Sequence, residues 1–188
     1  MERMYHRFSY EALARVTKAE VFQHDAVIEG GIGNNVARYL YFRDHGYTGL
    51  YVGVDPDPKS MTSPDGLIRE YADCFELDRL QHLCSRYGIA NPIFVTNSAL
   101  YLLIAGYENR IADAAKALTR VFRKQLHIRP AGNLPLTASR LFHSEATNCG
   151  EFNRIRRFLE ESLKRGWNQS APGKNLLLLK RNEGVYNI

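Results

Sequence analysis

The sequence predicts an α/β protein: a three-layer sandwich in which a mainly parallel sheet of six to seven strands carries helices on both faces. Three observations predict it. Short apolar runs alternate with stretches of helical periodicity along the chain, the pattern of strands joined by crossover helices. The first run, Ala26 to Glu29, is followed by Gly30, Gly31 and Gly33 and then by a helix-like stretch. The second, Leu50 to Asp55, lies about twenty residues on and ends in an acid. Strand, glycine turn, helix, strand and acid together grip the nucleoside end of a cofactor in an open α/β sheet. The glycines turn the backbone sharply and let a ligand approach with no Cβ in the way. Asp55 can accept from both ribose hydroxyls.

Residues 9 to 23 place Leu13, Val16 and Val21 among polar neighbours, which predicts an opening helix. After the first strand, Asn35 to His45 carries Val36, Tyr39, Leu40 and Phe42 on one helical face. Pro56 and Pro58 stop the second strand. Turn-formers from Lys59 to Gly66 occupy the place of a longer helix, and Leu67 to Cys74 reads as a short third strand. Glu76 to Tyr87 has Leu77, Leu80, Leu83 and Cys84 at helical spacing and is closed by Gly88. Pro92 to Thr96 is a fourth strand. Asn109 to Arg123 is an amphipathic helix with Ile111, Ala114, Ala115, Leu118 and Phe122 inward. Gln125 to Arg129 is a fifth strand, stopped by Pro130, and Ala131 to Gly150 has no period. Glu151 to Gly166 is a helix with Phe152, Ile155, Phe158, Leu159 and Leu163 inward, and Asn175 to Leu179 is the last strand.

The 188 residues show no repeat, no low-complexity segment and no change of composition that would mark a linker, so one domain is expected over 1–188. The longest apolar stretch, Ile93 to Tyr107, is broken by Thr96, Asn97, Ser98 and Gly106. It falls short of the roughly 20 residues of a membrane span. No apolar segment follows the first residues, so no secretory signal is visible. Cys74, Cys84 and Cys149 share no metal-ligand spacing and read as reduced thiols of a cytoplasmic protein without a metal. Net charge is +5, and Arg154, Arg156, Arg157, Lys164 and Arg165 crowd one helix. Such a stripe can face nucleic acid. Glu151, Glu160 and Glu161 dilute it, and a solvated face is the favoured reading.

The motifs resemble those of the class I S-adenosylmethionine-dependent methyltransferases, which have a Rossmann-like fold. Glu29-Gly30-Gly31-Ile32-Gly33-Asn34-Asn35 is similar to the family's acid-and-glycine motif, with Asn35 where a third glycine often stands. Asp55, followed by Pro56, matches the acid after the second strand. Asp73 and Cys74 match, by position, the pair that touches the adenine, and Asn97, in Thr96-Asn97-Ser98, matches the element after the fourth strand. The resemblance implies S-adenosylmethionine as cofactor, a cofactor half over 24–105 and an acceptor-side half over 106–188. The cofactor carries its own activation, so orientation does most of the work, with roughly 7–11 kcal/mol available from it.

The acceptor is not read from the sequence. No Asn/Asp-Pro-Pro-aromatic motif follows the fourth strand, which continues Asn97-Ser98-Ala99-Leu100, and no Pro-Cys pair supplies a thiol for ring methylation. No residue is assigned as catalytic. His127 and His143 flank the loop after the fifth strand, but read first as ordinary polar or half-buried histidines. Tyr101 and Tyr107 read as core or rim, Asn97 equally as a helix cap, and Trp167 as packing a helix end onto the sheet. Two other functions stay open. One is a catalytically silent binding or scaffold protein on the same fold. The other is a nicotinamide-dependent oxidoreductase, weakened because Val36 breaks the Gly-x-Gly-x-x-Gly form and no Tyr has Lys four residues on.

Overall fold

The computed structural model describes residues 15–33, 36–56, 63–97, 100–128, 150–173 and 176–182. Among these, β1 (Ala26–Gly30), β2 (Leu50–Asp55), β3 (Leu67–Tyr71), β4 (Pro92–Asn97), β5 (Lys124–Ile128), β6 (Trp167–Gly173) and β7 (Leu176–Arg181) form one seven-stranded sheet. Its order is β3-β2-β1-β4-β5-β7-β6. The first five strands are parallel, and β7 runs antiparallel to β5 and to β6. The helices are α1 (Ala37–Asp44), α2 (Leu77–Tyr87), α3 (Leu100–Ala105), α4 (Ile111–Val121) and α5 (Gly150–Lys164), preceded by a π-helical turn at Thr17–Val21.

All five residues of β1 are buried, because both faces of a parallel sheet are covered. On one face Ile28, Val52, Val54 and Phe94 meet Leu80 and Leu83 of α2, Ile111, Ala114 and Leu118 of α4, and Phe158 and Leu159 of α5. On the other, Val27, Tyr51, Ile93 and Leu126 meet Tyr39 and Phe42 of α1 and Val16 and Val21 of the opening turn. Each fully buried Val, Leu or Phe contributes about 1.5–3 kcal/mol. Glu20 ties the turn to the sheet through Lys124 at 2.9 Å and Lys180 at 2.6 Å. At the opposite end of β1 from the glycine turn, Asp25 accepts from the N–H groups of Ala90 and Asn91 at 2.7 and 2.9 Å.

The expected strands, and the expected helices after β1, are present in order, with several corrections; of the opening helix expected over 9–23, residues 15–21 are helical among the described residues. In α1 Tyr39 and Phe42 face inward, whereas Leu40 is 44% exposed. The third strand stops at Tyr71 rather than running to Cys74, because the Asp73 carboxylate accepts the Phe75 N–H at 2.9 Å and turns the chain. Gly88 ends α2 as expected, with φ 64°, and the Ile89 N–H donates to the Cys84 carbonyl at 2.8 Å. In α5 the inward position is Ser162 and not Leu163, which is 37% exposed. The Ser162 hydroxyl satisfies itself on the Phe158 carbonyl at 2.9 Å.

The largest correction is β6, a strand where the sequence shows no apolar alternation. Gly166, at φ 80°, turns the chain out of α5, and Trp167, expected to pack a helix end onto the sheet, is itself the first residue of a strand. Its indole is buried and donates to Thr119 Oγ1 at 2.7 Å. An edge strand tolerates the polar run and Pro172 because, among the described residues, only β7 pairs with it. Residues 9–14, 57–62 and 131–149 of the expected elements lie outside the described residues.

Candidate cofactor site

The strand order places β1 beside β4, so the chain crosses over in opposite directions on either side of this pair. In open α/β sheets the crevice at that switch point, outside the carboxyl ends of the strands, takes ligands. Here it is bordered by the glycine turn after β1, by Asp55 at the end of β2, by the Ala72–Glu76 turn after β3 and by the end of β4.

The glycine turn is held from three sides. Gly31, at φ 70°, donates its N–H to the Val54 carbonyl at 2.8 Å. Ile32 is buried against Gly53, where an added Cβ would stand 2.4 Å from the isoleucine side chain. Gly33, at φ 50°, donates its N–H to Asp55 Oδ2 at 2.7 Å and accepts from Arg69 Nη1 at 2.5 Å through its carbonyl. Among the described residues, an added Cβ at Gly33 would meet only the Asp55 carboxylate, at 3.9 Å. As far as these residues bound it, the space beside this backbone is open, as a ligand-cradling turn requires. Gly30 differs: a Cβ there would strike the Phe94 ring at 2.7 Å, so glycine at 30 serves core packing.

Beneath the turn lies a buried polar group. Glu29, Gly53 and Arg69 are register partners across β1, β2 and β3 and point to one face. Glu29 is 1% exposed and accepts from the Tyr51 hydroxyl at 2.6 Å. Burial pushes its carboxyl up to about 7, against the opposing pull of the Tyr51 hydroxyl and of the Arg38 and Arg69 charges. The Glu29 carboxyl is thus a buried acceptor of the Tyr51 hydroxyl at the base of the site. Arg69, from the edge strand, grips Gly33 with one nitrogen, and its Nε and Nη2 have no hydrogen-bond partner among the described residues.

Of the other expected residues, Pro56 is exposed just after Asp55. Asp73 is half-buried and accepts from the Tyr107 hydroxyl at 2.5 Å as well as from the Phe75 N–H. Cys74 is fully buried in the core, and burial pushes its thiol well above the ordinary range. Its sulfur lies beside the carboxyl end of β1, where a Cβ added at Gly30 would stand 3.2 Å from it. Asn97 ends β4 opposite Ile128, and Asn35 lies outside the described residues. The sequence reading missed Tyr51, Arg69 and the partnership of Tyr107 with Asp73. The signals were present: Tyr51, Gly53 and Asp55 alternate onto one face, and Arg69 and Glu70 interrupt an otherwise apolar strand.

His127 is an interior group. It is 1% exposed, bonds Thr96 Oγ1 at 2.9 Å through Nδ1, and packs edge-on against Phe94 and Phe158. Burial pushes its imidazole down to about 3, so it stays neutral. His143 lies outside the described residues. The basic stripe of α5 is largely paired: Arg154 with Glu108 at 3.1 Å, Arg156 with Glu160 at 2.9 Å, and Lys164 and Arg165 with Glu161 at 2.7 and 2.6 Å. Among the described residues no helix is long and apolar enough to cross a membrane.

Solved methyltransferase structures superpose on this fold. The MycE methyltransferase from the mycinamycin biosynthetic pathway, in complex with Mg, SAH and mycinamycin VI, superposes with a TM-score of 0.55 over 99% of this chain at 13% identity. The fold is that of the class I methyltransferases. A second MycE structure, with Mg and SAH, gives the same TM-score at 15% identity. A SAM-dependent methyltransferase from Anabaena variabilis ATCC 29413 has a TM-score of 0.55 and 9% identity, covering 95% of this chain and 87% of its own. The present chain spans about half the length of MycE, 52% and 53% in the two structures. No protein-family model and no curated protein matches the sequence.

Proposed function

We propose that the chain is an S-adenosylmethionine-dependent methyltransferase. The observation that carries this reading is the Gly33 N–H held on Asp55 Oδ2 at 2.7 Å at the switch point of this fold. The bond fixes an open, left-handed glycine turn beside a carboxylate at the end of β2. That is the geometry for a nucleoside whose ribose hydroxyls donate to the acid while its other end passes close to a bare backbone.

The residues present fit such a group. Among the described residues the space beside Gly33 is open, Asp55 and Asp73 are half-buried acceptors at the rim, and Ile32, between the two glycines, is tucked inward. Asp55 would hold the ribose, Asp73 the base, and the turn from Gly31 to Gly33 the amino-acid end. When bound, the sulfonium supplies an activated methyl group for in-line displacement. The chain's own contribution is to bind, orient and exclude water, with general-base help required only for a poorly nucleophilic acceptor.

Calorimetric titration of the purified chain with S-adenosylmethionine, S-adenosylhomocysteine and NAD tests the reading. Binding of the first two and not of NAD supports it. Binding of NAD alone transfers the site to an oxidoreductase, and binding of none leaves a scaffold protein on this fold.

A further inference from the structure

We propose that Tyr107 is a positioning residue for base recognition, and that through Asp73 it makes the site select a 6-aminopurine over a 6-oxopurine. This rests on the methyltransferase reading above. Asp73 belongs to the turn after β3 and Tyr107 to the turn between α3 and α4, and both turns lie at the carboxyl rim of the sheet. Their side chains meet there: the Tyr107 hydroxyl donates to Asp73 Oδ2 at 2.5 Å, while the Phe75 N–H donates to Oδ1 at 2.9 Å. One donor on each oxygen fixes both the position and the plane of the carboxylate.

Tyr107 is itself firmly held. It is 7% exposed and lies edge-on to Phe75 with centroids 5.2 Å apart. The Arg110 guanidinium covers the ring at 4.9 Å. Its backbone N–H donates to the Ile104 carbonyl at 2.9 Å, and its carbonyl accepts from Arg110 at 2.7 Å. Burial, and then the bond to Asp73, push the phenol above its ordinary range, so it stays a donor.

An ionised carboxylate is acceptor-only and offers about four lone-pair sites. Two are used here, and what remains at the half-buried rim can accept but not donate. A ligand edge that presents an N–H donor gains a charge-assisted hydrogen bond. One that presents a carbonyl in the same place meets a like-signed oxygen. The discrimination depends on the carboxylate staying where it is, since a freely rotating Asp73 would swing away from the oxo ligand and tolerate it. The Tyr107 hydroxyl supplies that restraint.

The test is calorimetric affinity of the full chain for S-adenosylhomocysteine and for S-inosylhomocysteine, in which the 6-amino group is replaced by oxygen. Wild type is expected to favour the adenosyl compound by about tenfold or more. Tyr107→Phe keeps the ring on Phe75 and is expected to fold, with the preference reduced to about threefold or less. Asp73→Glu keeps the charge but moves it by one methylene, and is expected to lose the preference as well, which keeps the proposal testable should the Phe variant not fold. Unaltered preference in the folded variants, or equal weakening of both ligands in Tyr107→Phe, overturns the proposal. Wild-type binding of both compounds without preference also overturns it while the methyltransferase reading stands. Binding of neither removes that reading and this one together.

Discussion

The Gly33 N–H donates to Asp55 Oδ2 at 2.7 Å across 22 residues of sequence, joining the turn after β1 to the end of β2. With Arg69 Nη1 on the Gly33 carbonyl at 2.5 Å, both backbone polar groups of this residue are committed in the ligand-free chain. The turn is thereby preorganised, and part of the ordering cost of binding is already met in the free protein. Arg69 pairs in register with Gly53, and Gly53 with Glu29. The turn therefore sits on a continuous row of three strands.

Gly33→Ala is expected to lower stability by about 1–2 kcal/mol, because φ 50° is a left-handed conformation that a Cβ disfavours. It should also weaken S-adenosylmethionine binding by about tenfold or more, since the methyl enters the open side of the turn. Gly33→Val should weaken it further. A thermal melt beside a binding isotherm checks both parts. Normal affinity in a destabilised variant would take the turn out of the ligand site.

Asp55→Ala removes the acceptor of the Gly33 N–H and the proposed ribose acceptor together. The expected loss of affinity is about 1.5–3 kcal/mol, equal for S-adenosylmethionine and S-adenosylhomocysteine because the ribose is common to both. Asp55→Asn, which still offers an oxygen to Gly33, should fall between wild type and Ala. Affinities of the Ala variant that match wild type would show that Asp55 serves the turn alone.

The elements that sequence reading captured are those whose pattern is local. β1, β2 and α4 carry their apolar periodicity in their own residues, and Gly88 and Pro56 mark ends by backbone chemistry alone. The failures are tertiary. β6 exists because β7 offers it a pairing edge, not because Trp167 to Gly173 looks like a strand. Ser162 stands inward in place of Leu163 because it continues the face of Ile155, Phe158 and Leu159, and its hydroxyl tolerates burial by donating to the Phe158 carbonyl. In the candidate site, the glycines and Asp55 were readable from spacing. The alternation of Tyr51 with Gly53 and Asp55 was readable too, but the pairing of Tyr51 with Glu29 and of Tyr107 with Asp73 was not, because strand register and the approach of two distant turns decide those contacts.

Glu29 should leave a signature in the pH dependence of stability. Its carboxyl lies at about 7 when folded, against an ordinary value of 4.5. Between those values the folded chain binds more protons than the unfolded one, so this contribution is present at acid pH and lost as pH rises to about 7. His127, pushed down to about 3 from 6.5, acts in the opposite sense, its contribution being lost as pH falls through that range. The difference between wild type and Glu29→Gln isolates Glu29, since Gln still accepts from Tyr51 but does not titrate. Between pH 5 and pH 8, denaturant titrations should show Glu29→Gln gaining about 2–3 kcal/mol on wild type. A difference that is flat with pH would mean that Glu29 stays ionised in the folded protein.

The basic stripe of α5 decides whether nucleic acid belongs among the acceptors to be tried. Glu161 holds both Lys164 and Arg165, and these two bases keep its carboxyl below the ordinary range. Arg154 and Arg156 are paired as well. Each cation so engaged must give up a carboxylate before it can neutralise a phosphate, which blunts the counterion release that drives polyanion binding. Exposed pairs of this kind contribute only about 0–1 kcal/mol to stability, so reversing charges here should leave the fold standing. The expected outcome for Arg157→Glu combined with Lys164→Glu is a melting temperature close to wild type and no change in retention of short RNA or DNA on filters across a salt series. Tight retention by wild type that falls steeply with salt and vanishes in the double variant would reverse this reading and make a nucleic acid the first acceptor class to assay.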